Sequence, residues 1–234
     1  MDARHHGEAE VILIDNKAKL ISSGETGFLF LLSYAVIHYT LLIASKANLF
    51  ESSYSRSFLG RWHPHLELPY LLAVVSGLAV APVLWEKVIR KINFKEIGFT
   101  LPRQRGTELI AGASLFLVFA GYSYLLLSKP FALLSWQAPV IVSLCVRWLV
   151  VASAEEVLYR GMIQRRLSRI WGKYCGLLLA SALFAFVGHV QAPLVDNVLL
   201  RLPFGLILGY LYLRSNSLLM PIIMHWWFNV LFAS

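Results

Sequence analysis

The stretch YCGLLLASALFAFVGHV, residues 174–190, contains no Asp, Glu, Lys or Arg anywhere along its length. It is close to the roughly 20 apolar residues that an α-helix needs to cross the hydrocarbon core of a bilayer. The residues just before it are strongly basic and include Arg165, Arg166, Arg169 and Lys173. An apolar block flanked by basic residues is typical of a transmembrane helix whose cationic end lies at the membrane surface.

The same alternation of apolar blocks and short basic connections repeats along the 234 residues, of which 58% are hydrophobic and 15% charged. A soluble domain usually has about 45–50% apolar and about 25% charged residues, and a single soluble core of this size cannot bury so many long apolar blocks. We therefore predict an all-α membrane protein, a polytopic bundle of about seven transmembrane helices. The predicted spans are residues 27–50, 68–88, 108–127, 139 to beyond 155, 174–190, 198–213 and 218–232.

The net charge of +8 is concentrated at the ends of the apolar blocks, which indicates the lipid bilayer as a partner and argues against nucleic acid. We expect a polar N-terminal segment, 1–26, followed by a single transmembrane domain, 27–234. The two most basic connections lie in 86–105 and 160–173, and such connections usually face the cytoplasm. The sequence therefore predicts a multi-pass protein, in the cell membrane of a prokaryote, with a cytoplasmic N-terminus and a C-terminus on the other side.

A first group of ionisable residues lies inside the fourth predicted span, where charge is costly and suggests function. Glu156 and Arg160 are four residues apart, so they share a helix face and can form an ion pair. Glu155 points about 100° away and lacks that partner. A structural ion pair with a spare carboxylate remains an alternative to a catalytic role.

Two further groups lie in the fifth and seventh predicted spans. His189 ends the fifth span, where it can be an interfacial residue or a catalytic one. His225 and Asn229 are four residues apart in an otherwise apolar segment. On one helix face they can either serve a reaction or hold neighbouring helices together by hydrogen bonds.

The depths of these groups favour one shared site. Helical hairpins are predicted to turn at 171–172 and 215–216. At 1.5 Å per residue, Glu155 and His189 lie roughly 24 and 27 Å from the first turn, and the two polar groups of the last span lie roughly 15 and 21 Å from the second. Because both turns are on the same side, we expect all four groups to meet in the membrane interior.

The three motifs together resemble those of the CAAX prenyl endopeptidases and related bacterial proteins, the CPBP or Abi family of glutamic-type intramembrane proteases. The residues that carry the resemblance are Glu155-Glu156-x-x-x-Arg160-Gly161, His189 and His225-x-x-x-Asn229. The second motif departs from the family pattern Phe-x-x-x-His, because Ala185 stands where Phe is expected, between Phe184 and Phe186. The resemblance covers about residues 140–230 and implies that the catalytic core lies there.

The resemblance implies a peptide hydrolase in which Glu155 activates a water as general base. His189 would orient that water or the base, and His225 with Asn229 would donate hydrogen bonds to the oxyanion. The Glu156–Arg160 pair would support the site, and Arg160 could alternatively hold a substrate carboxylate.

The predicted activity is cleavage of a membrane-anchored peptide or protein, either prenylated or carrying a C-terminal sorting tail. We expect no metal or other cofactor, although two His and two Glu could also bind zinc. The alternatives are a non-catalytic membrane scaffold or bacteriocin-immunity-like protein of the same fold, and a small transporter with a proton relay. The absence of sequence repeats disfavours the transporter.

Overall fold

The computed structural model describes residues 3–47, 68–102, 105–127 and 138–232, and these ranges contain helices but no strand. The sequence prediction of an all-α membrane bundle is confirmed. The helices are α1 (Ala3–Lys46), α2 (Leu68–Ile89), α3 (Phe94–Ile97), α4 (Arg105–Leu127), α5 (138–171), α6 (Lys173–Val187), α7 (Leu194–Ser215) and α8 (Leu219–Phe232).

Each of the seven predicted spans overlaps one of the seven long helices in the described ranges, but the bounds differ. Helix α1 begins at Ala3, before the predicted start at residue 27, and α6 ends at Val187, before the predicted end at residue 190. Residues 48–50 of the first span lie outside the described residues. By length and composition, three helices can cross a membrane: Lys19–Lys46, Leu68–Ile89 and Leu194–Ser215. Three shorter helices are also apolar: Ile110–Leu126, Lys173–Val187 and Leu219–Phe232. The chain is an integral membrane protein, and the number of complete crossings stays a prediction.

Helix α5 is the centre of the bundle. It continues from Ala138–Glu156 through a π-helical segment, Val157–Gln164, into Arg165–Trp171. Every residue of the π-helical segment is buried. Leu158 and Ile163 of this segment join a core cluster with residues of α2, α4, α6, α7 and α8. π-helical turns are uncommon and occur frequently at functional sites. Helix α5, which carries the ionisable residues, is thus packed against apolar helices. Ionisable groups within a membrane face the interior of a helix bundle in this way.

Two tight turns join neighbouring helices at one end of the bundle. Gly172, with φ 87°, separates α5 from α6, and Asn216, with φ 50°, ends α7 before α8. Gly and Asn are the residues that most readily accept positive φ at a helix end. Both turns lie where the sequence predicts them. Each pair of helices runs antiparallel, so the first half of α5 and the ends of α6 and α8 lie at the opposite end.

A buried ionic cluster ties α1, α2 and α5 together at the end with the turns. The Glu86 carboxylate is fully buried and accepts hydrogen bonds from Arg165 at 2.9 Å and Arg166 at 2.6 Å. Glu25 of α1 accepts bonds from Arg166 at 3.0 Å and from Arg90 at 3.1 Å. Two arginines of the predicted basic connection are therefore buried and paired, because carboxylates of the first two long helices reach them.

Candidate active site

A cavity of about 450 Å³ lies at the end of the bundle away from the two tight turns. This volume is within the range of about 300–1,000 Å³ that is usual for small-molecule sites. The lining residues are Tyr70, Trp148, Val151, Glu155, Phe184, Gly188, His189, Asp196, Leu200, Arg201, Phe204, His225, Phe228, Asn229 and Phe232. All four residues predicted from sequence as catalytic thus lie on one cavity, contributed by α5, α8 and the turn that follows α6.

The imidazole of His225 lies between the two adjacent glutamates of α5. Its Nδ1 is 2.7 Å from Oε1 of Glu156, and its Nε2 is 3.5 Å from Oε2 of Glu155. The His225 side chain is only 3% exposed, whereas the Glu155 side chain is 16% exposed. Because a carboxylate accepts, the Nδ1–H of His225 donates to Glu156, and Nε2 faces the carboxylate that lines the cavity.

The predicted ion pair between Glu156 and Arg160 is present at 2.8 Å, with both side chains essentially inaccessible. Arg160 also donates to the carbonyl of Gly205 at 3.2 Å, and its guanidinium lies 4.7 Å from the centre of the Phe184 ring. Arg160 is not among the residues that line the cavity. Its guanidinium therefore supports Glu156, and the alternative in which Arg160 holds a substrate carboxylate is not favoured by the geometry.

The second motif is shifted by one residue relative to the sequence interpretation. Residues Leu183–Val187 form a π-helical turn, in which residues five apart, rather than four, lie above one another. Phe184, five residues before His189, consequently packs on that imidazole at 4.8 Å, and its carbonyl accepts from Nδ1 of His189 at 2.9 Å. Phe184 thus contacts the His189 ring, whereas Ala185 occupies the position at which the family pattern has Phe.

Aromatic rings enclose the imidazole of His225 on two sides. Phe184 and Phe204 meet it edge to face at 5.7 and 5.3 Å between ring centres. Phe204 in turn stacks on Phe119 at 5.2 Å and packs against Phe228 at 4.4 Å. These rings pack against the imidazole and restrict its orientation.

Three polar residues near the start of α7 were not predicted: Asp196, Asn197 and Arg201. Asp196 and Arg201 line the cavity. The buried Asn197 donates to the carbonyl of His189 at 3.1 Å and accepts from Arg201 at 3.4 Å. The sequence carries a signal for this pair, because Asn197 and Arg201 are four residues apart at the start of an apolar span. The same spacing rule that singled out the other motifs applies here.

Within the described ranges, no group of three or more His, Cys, Asp and Glu side chains is arranged to hold a metal ion. The catalytic roles of the four cavity residues, and independence of a metal, stay predictions.

Comparison with known proteins relates the part of the chain that carries the cavity to a family. Residues 136–231 match the family model described as Rce1-like, type II CAAX prenyl endopeptidase. No curated protein and no solved structure shows significant similarity to the chain. The match covers less than half of the chain, but it includes all the residues that line the cavity except Tyr70 and Phe232. The segment that builds the cavity is therefore similar to the Rce1-like type II CAAX prenyl endopeptidases.

Proposed function

We propose that the chain is an intramembrane endopeptidase that hydrolyses a peptide bond of a membrane-associated substrate with a carboxylate-activated water. The observation that carries this proposal is the pairing of Glu155 with the imidazole of His225, 3.5 Å apart, on a cavity that His189 and Asn229 also line. A cavity within the bundle also gives water a place at depth, which peptide hydrolysis in a membrane requires.

In the proposed reaction, Glu155 takes a proton from a water molecule as the water oxygen bonds to the scissile carbonyl carbon. The oxyanion that forms receives hydrogen bonds from the amide of Asn229 and from Nε2–H of His225, whose ring carries a proton on both nitrogens in this step while Nδ1–H donates to Glu156. The protonated Glu155 then gives its proton to the leaving nitrogen, and the C–N bond breaks to yield a carboxylic acid and an amine. Glu156 holds the His225 ring in place at 2.7 Å throughout.

His189 has a separate part in this proposal. Its Nδ1–H donates to the carbonyl of Phe184, so in the neutral ring Nε2 carries a lone pair. That nitrogen is suited to accept a hydrogen bond from the attacking water and to orient it. A non-catalytic scaffold does not need two imidazoles and a partly exposed carboxylate around one cavity, and we therefore favour the enzyme.

The proposed substrate is a membrane-anchored peptide or protein, prenylated or with a C-terminal sorting tail. A cavity of about 450 Å³ accepts a short extended segment and excludes a folded domain. Membrane anchoring would bring that segment to the depth of the cavity, at a local concentration that a soluble peptide does not reach.

We expect purified protein in lipid nanodiscs to cleave at least one member of a library of lipid-anchored peptides, detected by mass spectrometry of the products. We also propose that no metal takes part, so activity should persist in the presence of a zinc chelator. Activity that is lost with the chelator and returns with added zinc would replace the carboxylate mechanism by a metal-based one. No cleavage of any lipid-anchored peptide would count against the enzyme.

We further propose that the N-terminus is cytoplasmic and the C-terminus is on the other side of the cell membrane. This follows from the basic residues in 86–105 and 160–173, because basic connections usually face the cytoplasm. In a background without Cys145 and Cys175, a Ser234→Cys variant should react with an impermeant maleimide added outside intact cells. Lys173→Cys should react only after permeabilisation. The reverse labelling pattern would invert the topology.

A further inference from the structure

We propose that the paired hydroxyls of Tyr34 and Tyr159 position Glu155 and His189, the two groups that handle the attacking water, relative to each other. This inference rests on the proposed function and deepens it by assigning a positioning role to two residues that do not line the cavity. Tyr34 belongs to α1, which lies outside the residues that match the family model. The first long helix is then part of the catalytic unit.

Tyr159 links the helix that carries Glu155 to the turn that carries His189. It follows Glu155 by four residues in α5 and is only 1% exposed. Because side chains of a helix lean towards its N-terminus, the Tyr159 ring extends back towards the level of Glu155. Its hydroxyl lies against Gly188, the residue before His189, so closely that a methyl group added to Gly188 would collide with the hydroxyl oxygen. The side chain of Tyr159 is therefore a spacer between the two groups.

Tyr34 holds the outer end of this spacer in place. The hydroxyl oxygens of Tyr34 and Tyr159 are 2.9 Å apart, and in the described part of the chain this is the one hydrogen bond that either hydroxyl makes. A buried hydroxyl needs such a partner. Phe30, four residues before Tyr34 in α1, packs against both tyrosine rings, at 4.8 and 6.5 Å between ring centres. The hydrogen bond and the ring contacts together fix where the Tyr159 side chain ends.

The ring of Tyr159 also reaches the imidazoles through Phe184. Tyr159 meets the Phe184 ring edge to face at 5.3 Å between ring centres. The same ring packs on His189 at 4.8 Å and on His225 at 5.7 Å. A displacement of Tyr159 is thus passed to His189 by two routes, the backbone of Gly188 and the ring of Phe184.

A hydroxyl pair between two helices can also serve only to hold the helices together. The contact of the Tyr159 hydroxyl with Gly188 distinguishes this pair, because Gly188 lines the cavity. Helix association alone would affect stability. Positioning affects the rate at which a bound peptide is cleaved, since a displacement of about 1 Å can cost about 10²-fold in rate.

The test uses farnesylated and palmitoylated peptides and the protein in nanodiscs. We expect Tyr34→Phe and Tyr159→Phe each to lower the single-turnover rate at saturating peptide about 10–100-fold, with peptide affinity, measured in the Glu155→Gln background, unchanged. The double variant should be no slower than the slower single one, because both substitutions remove the same bond. The matched control is Tyr212→Phe, which should leave the rate unchanged. Its buried hydroxyl bonds the Ile97 carbonyl at 3.2 Å, at the end of the bundle with the turns.

A second pair of variants tests the contact between the spacer and the turn. Gly188→Ala should slow cleavage, because the added methyl group collides with the Tyr159 hydroxyl. In Tyr159→Phe that oxygen is gone, and the methyl group would be 3.1 Å from the nearest ring carbon, Cζ. The double variant should therefore cleave faster than Gly188→Ala alone. Recovery should be partial, since the methyl group also approaches the Phe184 carbonyl at 2.7 Å.

The ¹⁵N resonances of the His189 ring, assigned with a His189→Gln variant, report its surroundings without any cleavage. We expect Tyr34→Phe to shift them and Tyr212→Phe to leave them in place. Cleavage by Tyr34→Phe at the wild-type rate, or a slower rate that only follows a lower Tm with these resonances unchanged, would overturn the inference and leave the proposed protease standing. Resonances that depend on Tyr34 in a wild-type chain that cleaves no peptide would support the arrangement and overturn the proposed protease.

Discussion

Glu155→Gln is expected to lower the rate of peptide cleavage by about 10²–10⁴-fold, the usual contribution of a general acid–base group. Glutamine has nearly the same shape but cannot take a proton from water. The loss should appear in kcat, because the substitution leaves the cavity and its other lining residues in place. Stability should change little, since Glu155 contacts His225 only at 3.5 Å and its side chain remains partly exposed to the cavity.

Single-turnover cleavage in nanodiscs measures the rate, and thermal unfolding of the same preparation measures stability. The control is Glu96→Gln, whose carboxylate is 44% exposed and pairs loosely with Arg169 at 3.5 Å. An exposed pair of this kind contributes little to stability, and it lies at the end of the bundle with the turns, away from the cavity. Cleavage by Glu155→Gln at the wild-type rate would show that another group activates the water.

The common depth of the four cavity residues could be predicted because the rise of a helix is constant. Once turns were placed near Gly172 and Asn216, counting residues brought Glu155 and His189 to similar heights. The turns themselves were recognisable, since Gly and Asn accept positive φ. These features depend on local properties of the chain and need no knowledge of how the helices pack.

The directions of the side chains could not be predicted in the same way. The direction of a side chain around a helix is found by counting residues at 3.6 per turn. The π-helical segments Val157–Gln164 and Leu183–Val187 depart from this spacing. In the second segment, Phe184, five residues before His189, packs on that imidazole. Nothing in the sequence around these segments marks the change of spacing.

Contacts between helices that are far apart along the chain also could not be predicted from the sequence. The buried carboxylate of Glu86 reaches Arg165 and Arg166 from α2, although the sequence placed all three in basic connections. Likewise, Glu156 was expected to pair with Arg160 alone. Its second partner, His225, comes from α8 and became apparent only when the depth and the rotation of both helices were known.

Glu156→Gln is expected to impair both stability and cleavage, which separates it from Glu155→Gln. Oε1 of Glu156 accepts hydrogen bonds from Arg160 at 2.8 Å and from His225 at 2.7 Å. Removing its charge leaves the guanidinium of Arg160 buried without a counter-ion, a change that typically costs about 3–5 kcal/mol. It also weakens the hold on the imidazole, so the free energy of unfolding and the cleavage rate should both fall.

A double variant separates the two effects of Glu156. Glu156→Gln combined with Arg160→Met removes the unpaired charge and should recover much of the lost stability, because replacing both partners of a buried pair is often nearly neutral. Cleavage should stay low, since the His225 ring still lacks the carboxylate that fixes its Nδ1–H and orients Nε2 towards Glu155. Unfolding in nanodiscs and single-turnover cleavage provide the two readouts. A double variant that cleaves at the wild-type rate would mean that Glu156 acts only by neutralising Arg160, and that packing of His225 between Phe184 and Phe204 is enough to hold the ring for catalysis.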